Sequence, residues 1–435
     1  MTTLRHVLDL AALPVDAIPA SARAMARFSL FDWIVCGRAG IGEPCAAILL
    51  GLVAQEGGTP AASVFGGHSA PARAAALVNG ATSHALDYDD THFAHVGHPS
   101  VAIYPAALAV GEVMDASAAA VADAFLLGAE ASIRIGLHLG RAHYNRGFHQ
   151  TATAGSFGAT VAAGRLFGLT RDQMRVAIGL CATRASGLKS QFGTMGKPYN
   201  AGLAAANGVE CAALARAGFT SADDGLDGPQ GFIPTHADAP EPEAAWINPP
   251  PATFLFEDVK YKLHACCHGT HAMIEALAAV PGLTPGRVVR ITLRTNPRWL
   301  SVCDIKAPRT GLEVKFSYVW LAGMVLSGMQ TASDRTYTDA LTTDPALAGF
   351  AGKVVVQGDP DVTDMQAAGE IVLTDGTVLR FAHDLAARLA SDVLERSLRD
   401  KARGLIGGQA ETVWQAVARM DTLSARDLGR LLGAA

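Results

Sequence analysis

At 435 residues the chain is too long for one ordinary core, so two domains are the expectation. Half of its residues are apolar and 17% are charged, which excludes a disordered chain. The net charge of -5, with no basic stripe interleaved with aromatics, excludes a nucleic-acid binder and leaves room for a small anionic substrate held by a few local cations.

The first segment, from Met1 to Asp32, has no charged-then-apolar leader, and no apolar run of about 18 residues occurs anywhere. Helical spacing begins at Ser21–Val35, followed by a Gly-rich break at Cys36–Gly42. The same spacing predicts helices over Ala72–His84, Val101–Met114, Ser117–Leu139, Thr151–Phe167, Arg171–Ala185 and Asn200–Ala217. Small residues dominate their faces, as in AGSFGATVAAG, and small faces let helices approach closely. A proline-rich loop, Asp238–Thr253, then changes the texture. Val288–Thr295 alternates with period two and reads as a strand, and Lys353–Gln357 as another. Glu370–Thr374 and Thr377–Phe381 flank Asp375-Gly376, whose glycine supplies the positive φ of a hairpin turn. Helical patterns at Leu312–Gly328 and Tyr337–Leu341 lie between the strands, and helix returns after about 388. The expected architecture is mainly α with a smaller α+β domain: an all-helical domain from 1–258 with 390–435, and an α+β lid domain from 259–389. The seven scattered cysteines fit free thiols in a reducing cytosol, so the expected location is cytoplasmic.

Four segments carry the chemistry. Ser83–Ser100 holds Asp87, Asp89, Asp90, Thr91, His92, His95 and His98. On a continuing helix Asp87 and Thr91 share a face, and His98 is presented from the break at Gly97-His98-Pro99. A carboxylate, a hydroxyl and an imidazole converging in this way suit general acid–base work. Two other uses compete: Asp89 and Asp90 capping a helix end, and His92, His95 and His98 with the aspartates as a metal site. In the second segment His149 stands at the entry of a small-residue helix, where free N–H groups and the helix dipole favour a carboxylate. Its alternative is a plain helix cap. The third is Phe192–Asn200, where Lys197 sits between Gly196 and Pro198, placed to grip a carboxylate, to act as a base if desolvated, or to lie on the surface; the loop lacks Walker spacing. The fourth is Lys260–His271, with Cys266, Cys267, His264, His268 and His271. Adjacent thiols face one tetrahedral ion poorly, which argues against zinc. A helix starting near Cys266 places Cys267 and His271 on one face, with Lys262 just upstream.

In this order the segments resemble the MmgE/PrpD (2-methylcitrate dehydratase) family, which also includes cis-aconitate decarboxylase and iminodisuccinate epimerase. The resemblance rests on His84-Ala-Leu-Asp87-Tyr-Asp-Asp-Thr91 with Gly97-His98-Pro99-Ser100, on Gly147-Phe148-His149, on Gly196-Lys197-Pro198, on Lys260 to His271 and on Lys315-Phe316-Ser317. It implies a large helical domain closed by both chain ends, an α+β lid, a homodimer and an active site between the domains. It also implies an enzyme that needs no metal or organic cofactor and moves a proton on a carbon beside a carboxylate of a small polycarboxylate. Asp87, Thr91, His98, His149, Lys197 and Lys262 would line its site. Lys197 and His149 would stabilise charge and transfer protons, His98 would be the other acid or base with Asp87 orienting it, Thr91 and Cys267 would bind substrate, and Lys262 would clamp a carboxylate. Cys267 falls where decarboxylase-type members have histidine, and Trp320 where many members have tyrosine. The expected order is a 2-methylcitrate dehydratase-like hydro-lyase, then an epimerase, then a decarboxylase. A metal-dependent hydrolase and a non-catalytic binding protein are the alternatives from other classes.

Overall fold

The computed structural model describes residues 1–433. The chain folds into two compact units, 1–261 with 406–435, and 262–405. The divisions expected from sequence texture are 258/259 and 389/390, against 261/262 and 405/406 here.

The first unit is helical because its sequence removes side chains where helices meet. Its main elements are α1 (Ala20–Gly40), a short hairpin of β1 (Ala62–Val64) and β2 (His68–Ala70), α2 (Ala72–His84), α3 (Pro99–Val113), α4 (Ala118–Arg146), α5 (Gln150–Leu166) and α6 (Gly196–Arg216). Helices α2, α5 and α6 form its centre, with α3 and α4 packed against α5. A Cβ on Gly80 of α2 would stand 2.8 Å from Gly202 Cα of α6, and one on Gly128 of α4 would stand 2.4 Å from the Gly158 carbonyl oxygen of α5. Any larger residue forces these backbones apart, which forfeits packing along both helices.

Helix α1 runs on into the expected break at Cys36–Gly42 and ends at Gly40, within it. Here glycine is a packing residue: a Cβ on Gly37 would lie 1.9 Å from the Phe65 ring. The segment Gln409–Ala418 packs on α1, where Trp414 stacks on Phe28 at 6.0 Å. Among the described residues no single helix is long and apolar enough to cross a membrane.

The second unit is an α+β layer. Its sheet has the order β4-β3-β5-β6, from β3 (Val288–Thr295), β4 (Val354–Gly358), β5 (Gln366–Leu373) and β6 (Val378–Asp384). The β3–β4 pair is parallel and the others antiparallel, with Ile291 opposite both Val354 and Ile371. The β5–β6 hairpin turns at Gly376, φ 84°. Helix α7 (His271–Ala278) covers β5 and β6, and α8 (Tyr318–Leu326) packs on α7 and β4. The expected helix over Leu312–Gly328 is two: Gly311–Val314, then α8, whose N-cap Ser317 hydroxyl accepts the Trp320 N–H. Helical turns over 337–341 are 3-10 only. Helix α9 (Ser391–Ile406) buries Leu394, Leu398 and Ala402 and stays in this unit as far as Leu405. The architecture is therefore mainly α, with a smaller α+β part.

Candidate active site

Three helices of the first unit begin at one place. His98 is the N-cap of α3 and His149 the N-cap of α5, and Lys197 is in the first turn of α6. Neither histidine caps with its side chain, so both rings are available for other work. The three starts are tied together: the His98 N–H donates to Thr151 Oγ1 at 3.0 Å, and Asn200 of α6 meets the His149 ring at 3.2 Å. Each helix N-terminus carries roughly half a positive charge on unsatisfied N–H groups. With the Lys197 ammonium this makes a cationic corner.

Asp87 and Asp89, two residues apart, are used in opposite ways. Helix α2 ends at His84, and Asp87 takes a left-handed conformation (φ 50°) that aspartate tolerates better than most residues. This overturns the expected helix face shared by Asp87 and Thr91. Thr91 instead pairs with Lys260 through two backbone hydrogen bonds of 2.8 Å, and its hydroxyl donates to the Lys260 carbonyl at 3.4 Å. The Asp87 side chain is 46% exposed and lies 2.6 Å from Lys197 Nζ. Asp89 is fully buried and faces two imidazoles, His84 Nδ1 at 2.8 Å and His98 Nδ1 at 2.8 Å. Asp89 thus lies nearer to the His98 ring than Asp87 does, whose Oδ1 stands 3.6 Å from Nε2 of that ring. Burial alone would raise the Asp89 carboxyl, but the imidazoles of His84 and His98 together hold it well below the usual carboxylate range.

An ionised Asp89 bears on the tautomer of both rings. His84 Nδ1 is hydrogen-bonded to Asp89 Oδ1 at 2.8 Å and so carries a proton, whereas His98 Nδ1 approaches Asp89 Oδ2 equally closely but out of hydrogen-bond alignment. The nearby carboxylate still favours the proton on Nδ1 of His98, which leaves Nε2 of the neutral ring bare. His84 Nε2 is buried with no hydrogen-bond partner among the described residues. Burial lowers His98 to about 4, against the opposing pull of Asp89, and pushes His149 well below the ordinary value, with His84 and Lys197 adding to it. Both rings are neutral at pH 7. Phe192 closes the group, edge-on to His149 at 5.0 Å and beneath Lys197 at 5.2 Å.

Of the expected site residues, Asp87, His98, His149 and Lys197 come together in the first unit. Lys262 and Cys267 belong to the second. Lys262 is buried, at 5% exposure. Cys267 does not share a helix face with His271, because α7 starts only at His271 and a 3-10 turn, His268–Thr270, precedes it. Sequence reasoning missed His84 and Asp89 as site residues. Their signal was a lone histidine in α2, whose small-residue sequence admits burial all round and so obliges that ring to find a partner.

His84, Asp87, Asp89 and His98 offer ligand atoms within 4.8 Å of one another, a spacing a divalent cation accepts. The charge around them disfavours one: both Nδ1 atoms already face Asp89, and Lys197 already sits on Asp87. The expected alternative trio does not form. His92 Nε2 pairs with the Leu255 carbonyl at 2.9 Å, and His95 Nε2 with Ser132 at 3.2 Å.

The MmgE/PrpD N-terminal domain profile matches residues 10–245 and the C-terminal domain profile residues 264–421. The chain belongs to the MmgE/PrpD family. Among its relatives is a cis-aconitate decarboxylase of Aspergillus terreus, 30% identical over 298 residues, which are 65% of this chain and 60% of that protein. The cis-aconitate decarboxylase of Homo sapiens is 29% identical over 312 residues, 67% of this chain and 62% of its own. That of Mus musculus is 26% identical over 327 residues, 71% and 66%. This MmgE/PrpD chain thus spans about 60% of the length of the relatives it matches first.

Proposed function

We propose that this MmgE/PrpD protein is a lyase that works, without a metal or organic cofactor, at the carbon beside a carboxylate of a small polycarboxylate. One observation carries the reading: a neutral imidazole with a bare Nε2, His98, stands beside a lysine at the meeting of three helix N-termini. A proton alpha to a carboxylate is weakly acidic, so its removal needs preorganised positive charge where the enolate-like oxygen develops. His98 Nε2 takes that proton. Lys197 and the helix ends hold the carboxylate, and the neutral His149 ring supplies a further hydrogen bond. In a dehydration the Lys197 ammonium gives its proton to the departing hydroxyl, which leaves as water. In a decarboxylation carbon dioxide leaves with the carbon skeleton's electrons behind it, and the same ammonium protonates the carbanion. Thr91, Lys262 and Cys267 are proposed to bind substrate. A cytoplasmic homodimer remains part of the proposal.

The relatives named above support decarboxylation of a cis-aconitate-like acid as the first reaction to test. A 2-methylcitrate dehydratase-like hydro-lyase is second, supported by the same acid–base pair, and epimerisation third. Purified protein incubated in D2O with cis-aconitate, 2-methylcitrate, citrate and iminodisuccinate, and followed by proton NMR, separates them. Loss of a carboxylate carbon means decarboxylation, a new vinyl signal from a hydroxy acid means dehydration, and deuterium entry into an intact skeleton means epimerisation. No change in any of the four acids would overturn the polycarboxylate reading.

A further inference from the structure

Three imidazoles meet at this site, and their partners behind them differ. His84 and His98 turn Nδ1 to a carboxylate. His149 turns Nδ1 to the side-chain amide of Asn200, 3.2 Å away. Asn200 is 5% exposed, and its amide has a second contact, Nδ2 to the Leu188 carbonyl oxygen at 3.2 Å. That carbonyl can only accept. It therefore fixes which way the amide faces, since a flipped amide would set Oδ1 against it. With one Nδ2 hydrogen on Leu188, the other points at His149 Nδ1, which must then hold a lone pair. The proton of the ring is left on Nε2.

We infer that Asn200 is a positioning residue: it holds His149 as the Nε2-protonated tautomer, the reverse of His98, so that His149 donates to the substrate oxygen while His98 accepts from the substrate carbon. This rests on the proposed proton-transfer chemistry for its purpose, while the tautomer itself rests on geometry alone. The loop bearing Leu188 is fixed from behind. The His149 N–H donates to the Gly187 carbonyl at 3.0 Å, and a Cβ on Gly187 would stand 2.3 Å from Ala152, so the loop cannot drift from the α5 start. Burial keeps the ring neutral, in line with an uncharged imidazole acting as hydrogen-bond donor rather than as acid. No proton leaves His149 in this role, and no imidazolate forms.

The test is a two-bond 15N–1H correlation spectrum of the full chain labelled at histidine nitrogens, at pH 7, with His149 assigned from a His149→Gln variant. The expected spectrum shows His149 protonated at Nε2 and His98 at Nδ1. An Nδ1-protonated His149 in the unsubstituted protein overturns the inference, and this is read without substrate, so it stands apart from failure of the lyase reading. Asn200→Asp places an acceptor behind Nδ1. It is expected to move the His149 proton to Nδ1 and to lower kcat about 10²–10³-fold, the usual cost of losing one donor to a developing oxyanion, with little change in KM. A merely structural Asn200 would leave the tautomer in place, and an Asp variant with unchanged kcat and the Nε2 proton retained would also overturn the inference. Should that variant not fold, the spectrum of the unsubstituted protein decides.

Discussion

Two histidine-rich segments of this chain, 84–98 and 264–271, use the same residue types and end in different states. In the first, His84 and His98 each turn only one ring nitrogen, Nδ1, to buried Asp89 at 2.8 Å. In the second, His264 commits both: Nδ1 meets Thr331 Oγ1 at 2.8 Å and Nε2 meets Glu275 at 2.9 Å. His271 turns Nε2 to the Cys266 carbonyl at 3.3 Å. A histidine satisfied at both nitrogens fastens a structure, whereas one satisfied at a single nitrogen can still exchange a proton. The difference lies in what each segment meets. The first is joined by the starts of α5 and α6, far away in sequence; the second is closed on neighbours within its own unit.

The sharpest break of this contrast is removal of the first segment's reactive groups. His98→Ala and Lys197→Ala are each expected to lower kcat by about 10³-fold or more, within the range of lost acid–base catalysis and lost charge stabilisation together. Asp87, the partner that Lys197 would leave behind, is 46% exposed, so water can take the place of the ammonium and the fold should stay in place, as circular dichroism and the melting temperature would check. Wild-type turnover in either variant would remove the site from the chemistry.

The pH profile sharpens the same comparison with a smaller effect. His98 is an effective base only when neutral, and burial has lowered it to about 4. The acid limb of kcat/KM should therefore fall near pH 4, about tenfold per unit below it, and not near 6.5. The sign for stability is the same. A folded value below the unfolded one contributes stability above 6.5 that is lost as pH falls through about 4, so a parallel unfolding curve must separate the two losses. An acid limb at 6 to 7 in a fully folded enzyme would mean that another group is the base.

Much of this was readable beforehand, for reasons that differ by element. The small-residue helices and the Asp-Gly hairpin follow from local periodicity and turn chemistry, and the structure places them within a few residues. His98, His149 and Lys197 stand out because polar residues next to Gly and Pro mark helix starts. What stayed hidden depends on where chains cross. Nothing local separates Asp87, which meets Lys197, from Asp89, which meets His84 and His98. The break read at Cys36–Gly42 begins too early, since the helix ends only at Gly40: a glycine inside a helix has two meanings, and at Gly37 the ring of Phe65 selects the packing one. Asn200 gives no signal at all until the Leu188 carbonyl is seen beside it.

The smallest expected effect tests the second segment directly. His264→Ala removes two hydrogen bonds at once and strands Thr331 and Glu275, whose carboxyl is held below its usual range first by the His264 hydrogen bond. Glu275 is a third exposed at its side chain, so water recovers part of the loss, and about 1 to 2 kcal/mol is expected from the urea midpoint. Turnover should stay within about twofold of wild type, because neither nitrogen of His264 is free to take a proton. Thr331→Val, which removes one of the two partners, should cost less than His264→Ala and likewise spare turnover. A His264→Ala protein that is as stable as wild type yet inactive would reverse the contrast, placing the working histidine in 264–271 and making the buried Asp89 cluster the structural one.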